Sequence, residues 1–505
     1  MSAVDACSGI WRTGVLLLLA AVAGCAVLAP NHGGRLSDVP HLRECAEWYA
    51  ALDGEVEASG VRDAQAAPVA GFPYLRVDRF RAALAPDARA GSQAMHALAD
   101  QLLALDLEAR THEIANLPAD GLKRLWQGRG VPEVSASIRE TRDCGRQLRD
   151  FDLENPTAVE SILSRLSVPD DYVTGYRIAG LYALTKIPFT AGIRKHLVET
   201  RVAFSRDLAA TASGTVVRYS PQSRPKVSRT HVREAFGRTA GNPLRVPNPS
   251  DEELEALFAL HAPSFEVETT GDYDRPGALR WRWGALPEVE SADPAVYRHV
   301  AFTRYRGENL MQLVYTVWFP ERPAQSEGDL LAGPLDGVVF RVTLSPDGTP
   351  VLYDTIHPCG CYHMFFTTPR AVPTVEPAGE PEWAFVAQTL GAIGHEDRLV
   401  VRVASRTHYV DRVYVDRTDS LARYELRPYS DLRSLPRMAG GHRSVFGTDG
   451  IIAGTGRGER FLFWPMGIAD AGAMRQWGRQ ATAFVGRRHF DDADLLERRF
   501  VLDLR

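Results

Sequence analysis

Residues 357–363 read His-Pro-Cys-Gly-Cys-Tyr-His, which puts four side chains of metal-ligand type within seven positions. Thiolate and imidazole suit zinc or copper, and the thioether of Met364 next door favours Cu(I). His357, Cys359, Cys361 and His363 are therefore the candidate ligand set. On a continued strand all four would share a face, but alternate residues lie about 6.6–7 Å apart, too far to share one four-coordinate ion. The segment must turn, and Pro358 and Gly360 are suited to turning it. The same residues admit a strained Cys359–Cys361 disulfide that exchanges readily, or a cysteine nucleophile activated by His357 or His363. They also admit a plain turn whose cysteines pack as apolar groups. The scattered His408, His442 and His489 would complete a site only if the fold brings one of them in.

Several other chemistries lack their entry points. Of the 58 basic residues only Lys123, Lys186, Lys195 and Lys226 are lysine, so nothing after Lys226 can serve as a P-loop or Schiff-base lysine. His395-Glu396-Asp397-Arg398-Leu399 lacks the second histidine of a zincin helix, and no Gly-x-Ser-x-Gly occurs. Gly454-Thr455-Gly456-Arg457-Gly458 has neither dinucleotide spacing nor a Walker lysine and reads as a loop. A formal net charge of −5 over 505 residues gives no global basic footprint, so no nucleic-acid partner is expected.

The elements that must position this chemistry change character along the chain. From 41 to 212 the signals are helical: Met95, Leu98, Leu102 and Leu105 fall on one face, and prolines punctuate the loops. Residues 213–250 carry seven basic side chains against Glu234 and read as a solvated basic linker. Ser250-Asp251-Glu252-Glu253 opens a helix with a capping box. From 251 to 434 the period changes to two, with turns at Gly307-Glu308-Asn309 and Ser345–Thr349, so this part reads as an antiparallel β domain. Trp281 and Trp283 are expected on one packed sheet face. Residues 435–505 are mixed.

The first 24 residues read as an export signal. Val15–Ala23 is a nine-residue apolar run, too short to span a bilayer, and it ends in Val22-Ala23-Gly24-Cys25. That ending resembles the lipobox of bacterial lipoproteins, which implies lipidation at Cys25, a membrane partner through this anchor and a tether over 25–40. Ala26, where an aspartate would retain the protein at the inner membrane, implies the outer membrane, facing the periplasm. With Cys7 removed and Cys25 acylated, four cysteines remain in an oxidising compartment, and Cys45 with Cys144 is the expected structural disulfide. The stretches FPYLRVDRF (72–80), YDTIHPCGCYHMFF (353–366) and AMRQWGRQATAFVGRRHF (473–490) are similar to segments of uncharacterised proteobacterial lipoproteins. This resemblance implies an address and carries no activity.

The sequence thus predicts an α+β protein: a helical N-terminal domain, then a mainly antiparallel β domain with a mixed C-terminal end. The expected function is that of an exported, lipid-anchored envelope protein binding zinc or copper through 357–363. The alternatives are a periplasmic thiol oxidoreductase or metal-assisted hydrolase using Cys359 and Cys361, and a structural or assembly factor with an envelope protein partner.

Overall fold

The computed structural model describes residues 39–505, apart from 128–129, 208–213, 223–226, 396 and 419. The leader, Cys25 and all but the end of the tether lie outside the described residues. The architecture is α+β, as the pattern of periods requires. Three long helices, α1 (Pro40–Ser59), α2 (Ser92–Asn116) and α3 (Val134–Leu153), pack with a small hairpin (Ala67–Val69 and Phe72–Val77). Their core gathers Trp48 and Leu52 of α1, Leu98 and Leu102 of α2, and Leu148 of α3. Cys45 of α1 is bonded to Cys144 of α3, with 2.13 Å between the sulfurs.

The helix α4 (Tyr182–Ser205) falls within the helical stretch of sequence but does not join that core. Its one buried residue, Phe204, packs among sheet residues instead. The helical domain expected over 41–212 is thus divided between two cores.

The main sheet has eleven strands: β1 (Thr215–Pro221), β2 (Ser264–Thr269), β3 (Ala295–Tyr305), β4 (Glu308–Arg322), β5 (Gly333–Leu344) and β6 (Pro350–Ile356), then β7 (Met364–Thr367), β8 (Val386–Thr389), β9 (Leu399–Val403), β10 (Val410–Val415) and β11 (Ala422–Pro428). Their order is β8-β7-β6-β5-β4-β3-β11-β1-β2-β9-β10. β3 to β7 form an antiparallel meander, while β7–β8, β3–β11, β11–β1 and β2–β9 pair in parallel. The β3–β4 turn falls on Arg306 and Gly307, both at positive φ, one residue earlier than its sequence suggests. Such a pair matches the twist of the strands it joins.

β1 corrects the reading of 213–250 as a linker. Val217 and Tyr219 alternate with Arg218, whose charge is spent on Glu266 and Asp416. The basic residues around it masked a strand that lies between β11 and β2. Trp281 and Trp283 also part company. The strand there ends at Arg280, Trp281 is buried, and Trp283 is 80% exposed.

The sheet curls until its edges meet. One cluster contains Phe265, Val342, Tyr353, Phe366, Val401 and Val413, drawn from both ends of the strand order. The side chain of Gln388 on β8 bonds both backbone groups of Val413 on β10. The result is an incompletely closed barrel with a seam between β8 and β10. The other face of β4, β5 and β6 is covered by the C-terminal segment, where Phe490 meets Val314, Val339 and Ile356. Burial on both faces accounts for the near-continuous apolar runs of β4 and β5.

Candidate functional site: a cavity at the barrel seam

The His357–His363 segment joins β6 to β7 and does turn. The N–H of Gly360 donates to the carbonyl of His357 (2.8 Å), and that of His357 donates to the carbonyl of Cys361 (3.0 Å). Gly360 sits at φ +91°, and a Cβ there would lie 2.5 Å from the carbonyl oxygen of Ala481. Only glycine fits both the angle and the space. Tyr362 follows at φ +60°, unusual for a bulky residue.

The turn does not gather the four candidate ligands around a common point. His357 faces Asp336 on β5, Nδ1 to Oδ1 3.2 Å, whereas His363 faces Asp354 on β6, Nε2 to Oδ2 2.8 Å. Cys359 and Cys361 are free thiols, and the N–H of Cys361 donates to the sulfur of Cys359 (3.4 Å). Among the described residues, no group of three or more His, Cys, Asp or Glu is placed to hold a metal ion. The hydrogen bond with Cys359, then burial, pushes the Cys361 thiol well up. An exchanging or nucleophilic cysteine needs the opposite shift.

Each histidine is instead fixed by a carboxylate that has other partners. Asp336 accepts from the Gly337 N–H (3.0 Å), meets His408 Nδ1 at 3.0 Å and lies 3.4 Å from Arg457. Burial alone would raise its carboxyl, but Arg457 and His357 hold it well below the usual range. His408 stacks flat on Phe319 and also approaches Asp274, at 3.4 Å. Burial would lower its pKa, yet the two carboxylates raise it. So one of the scattered histidines does join this region, on the β9–β10 connection. His442 is exposed on a two-residue strand, and His489 lies with Asp170, Asp171 and Tyr172. The glycine-rich loop 454–458 is a loop, as expected, and delivers Arg457 to Asp336. Leu335, Tyr362, Arg406 and His408, half of the eight non-glycine residues at positive φ among those described, lie in or beside this network. Strain of this kind persists only where surroundings over-determine it.

The far side of the turn faces open space. A cavity of about 550 Å³ lies between α4 and the barrel seam. Cys361, Tyr362 and His363 form part of its wall, with Met364 and Phe385 from the β7–β8 side and Val410 from β10. α4 supplies Phe189, Ile193, His196, Leu197, Thr200 and Phe204. Volume and lining fall in the range of small-molecule sites, which favour barrel mouths.

The titratable groups on this wall are all pushed toward their neutral forms. Burial raises Glu382 and Glu459, and burial with nearby Glu268 brings Asp411 to about 6. Burial likewise takes His363 down to about 3 and lowers His196. Arg488, also on the wall, spends its donors on Thr482 and on the carbonyls of Glu382 and Trp383. Nδ1 of His363 is buried without a partner, behind the wall rather than on it. The cavity therefore offers mainly apolar contact, with the carboxyls of Glu382, Asp411 and Glu459 on its wall.

Sequence reasoning missed Asp336, Arg341 and Asp354, the cavity wall on α4, and Glu382 and Asp411. For the first three a signal existed, since each interrupts an otherwise apolar buried strand. Compared with known protein families, curated proteins and solved structures, the chain matches none.

Proposed function

We propose that this is an exported, lipid-anchored protein of the cell envelope that holds the hydrocarbon part of an apolar ligand at the barrel seam. The address rests on the Val22-Ala23-Gly24-Cys25 ending of the leader, with Cys25 as the attachment point. The binding role rests on one observation, the cavity of about 550 Å³ between α4 and the barrel seam, whose wall is mainly apolar. An anionic ligand entering it would lose its water and find the guanidinium of Arg488 already engaged by Thr482, Glu382 and Trp383, which is costly. An acyl or isoprenoid chain loses nothing and gains roughly 25 cal/mol for each Å² of apolar surface covered.

The test is extraction of the protein, purified from envelopes in a mild detergent, with organic solvent and mass spectrometry of the extract. A stoichiometric hydrocarbon-bearing compound, absent from a Thr200→Phe, Ala203→Phe variant that narrows the cavity, supports the reading. Equal extracts from both proteins would reject it.

A further inference from the structure

α4 is apolar on two opposite sides. Phe189, Ile193, His196, Thr200 and Phe204 line the cavity, while Leu184, Ile187, Val198 and Val202 form a second stripe. At 100° per residue these four fall within about 60° of one another, on the side away from the cavity. They are openly exposed: Leu184 64%, Ile187 65%, Val198 57% and Val202 48%. Ile178 and Leu181 extend the patch before the helix begins. A helix apolar all round is ordinarily buried, and a contiguous exposed apolar patch marks an interaction surface.

Charge says what covers it. α4 carries Lys186, Arg194, Lys195 and Arg201 against the single acid Glu199, in a protein whose net charge is −5. Arg194, Lys195 and Arg201 flank the exposed stripe. No helix among the described residues is long and apolar enough to cross a membrane. An apolar stripe edged by basic side chains is the pattern of a helix lying in the plane of a membrane interface, where anionic headgroups attract each nearby basic residue by about 1 kcal/mol.

We infer that the outer face of α4 docks on the surface of a bilayer containing anionic lipid. The docking face stands on its own observations. That it lets a hydrocarbon chain pass from the bilayer into the cavity on the opposite side of the same helix rests on the binding role proposed above. An acyl group on Cys25 would keep Pro40 within about 50 Å of the bilayer, the reach of the fifteen residues between them.

The experiment places a nitroxide on Val198→Cys in the protein purified from envelopes and reconstituted in vesicles of phosphatidylethanolamine and phosphatidylglycerol. A control carries the nitroxide on Leu421→Cys, which is fully exposed on the β10–β11 connection. Relaxation by oxygen and by a water-soluble nickel chelate then reports depth. The label at 198 should lose about tenfold of its nickel accessibility relative to 421, as expected for a face seated at the acyl boundary. Reversing Arg194, Lys195 and Arg201 to glutamate, or leaving out phosphatidylglycerol, should restore most of it. A label at 198 that stays as nickel-accessible as 421 overturns the inference. Spin–spin broadening at 198 also overturns it, because the face would then be covered by a second copy, as does protection that survives in detergent, which would mean a protein or a segment of this chain. Cavity filling at Thr200 and Ala203 should leave the depth at 198 unchanged. A seated label together with an empty organic extract would therefore reject the binding role and keep the docking.

Discussion

Gln388 joins the two edges of the sheet to each other. Its Nε2 donates to the carbonyl of Val413 at 2.8 Å, and its Oε1 accepts from the Val413 N–H at 3.2 Å. One side-chain amide thus does what a pair of ladder bonds does elsewhere in the sheet, and the cavity opens beside it. Replacing it by leucine keeps the volume and removes both bonds, leaving two backbone groups near the seam to find water. Gln388→Leu should destabilise the fold by about 1–3 kcal/mol. Urea denaturation measures the loss, and amide exchange should accelerate at Val413 well before it does in β4 or β5.

Asp354 and Arg341 are register partners on β6 and β5, and the guanidinium meets both carboxylate oxygens, at 2.9 and 2.5 Å, with both side chains 1% exposed. His363 completes the group. Arg341→Met removes one partner and leaves a buried carboxylate facing only an imidazole, which should cost about 3–5 kcal/mol. The double variant Arg341→Met, Asp354→Leu should recover a substantial part of that loss, because no lone charge remains. A double-mutant cycle in urea checks the sign of the coupling.

Asp411 predicts a pH dependence. Its folded pKa is about 6, raised by burial and then by Glu268, against an unperturbed 3.8; Arg402, Arg412 and Arg206 partly oppose the shift. The folded state therefore binds this proton more tightly than the unfolded chain does. The stabilisation is fully present below pH 4 and is lost as pH rises through 6, by at most about 3 kcal/mol. The difference in stability between Asp411→Asn and the parent should grow in the variant's favour between pH 4 and 7. A flat difference across that range would show that Asp411 titrates normally.

Gly360→Ala meets two obstacles, the left-handed backbone and the Ala481 carbonyl 2.5 Å from the new Cβ. The backbone alone costs about 1–2 kcal/mol, and the contact forces the turn away from residues 480–481. Thermal unfolding should shift downward, and the free thiol of Cys361 should become more reactive toward a maleimide than in the parent.

The fold class and the two kinds of core were legible because period and length distinguish long amphipathic helices from half-buried and buried strands. The pairing of Cys45 with Cys144 was legible once Cys7 and Cys25 were set aside, as the expected export signal asks. What escaped has a common physical cause. β1 was hidden because its arginine pairs with acids 48 and 198 positions away, which no local pattern records. The turn at Pro358 and Gly360 was anticipated, but where its side chains point depends on Asp336 and Asp354 on neighbouring strands. The metal-like spacing of His357, Cys359, Cys361 and His363 is real in sequence, yet each histidine already has a carboxylate for another purpose. α4 was not set apart from the other helical signals over 41–212, because a cavity wall and a protein core ask for the same residues.

The central claim is that the seam cavity takes up a hydrocarbon chain, and saturable binding measures it most directly. An uncharged fluorescent acyl probe titrated into delipidated protein should saturate at one per chain. The Thr200→Phe, Ala203→Phe variant should fold with unchanged urea midpoint and bind at least about tenfold more weakly, the equivalent of 1.4 kcal/mol. Saturation with the same affinity in both proteins, or none in the parent, would contradict it.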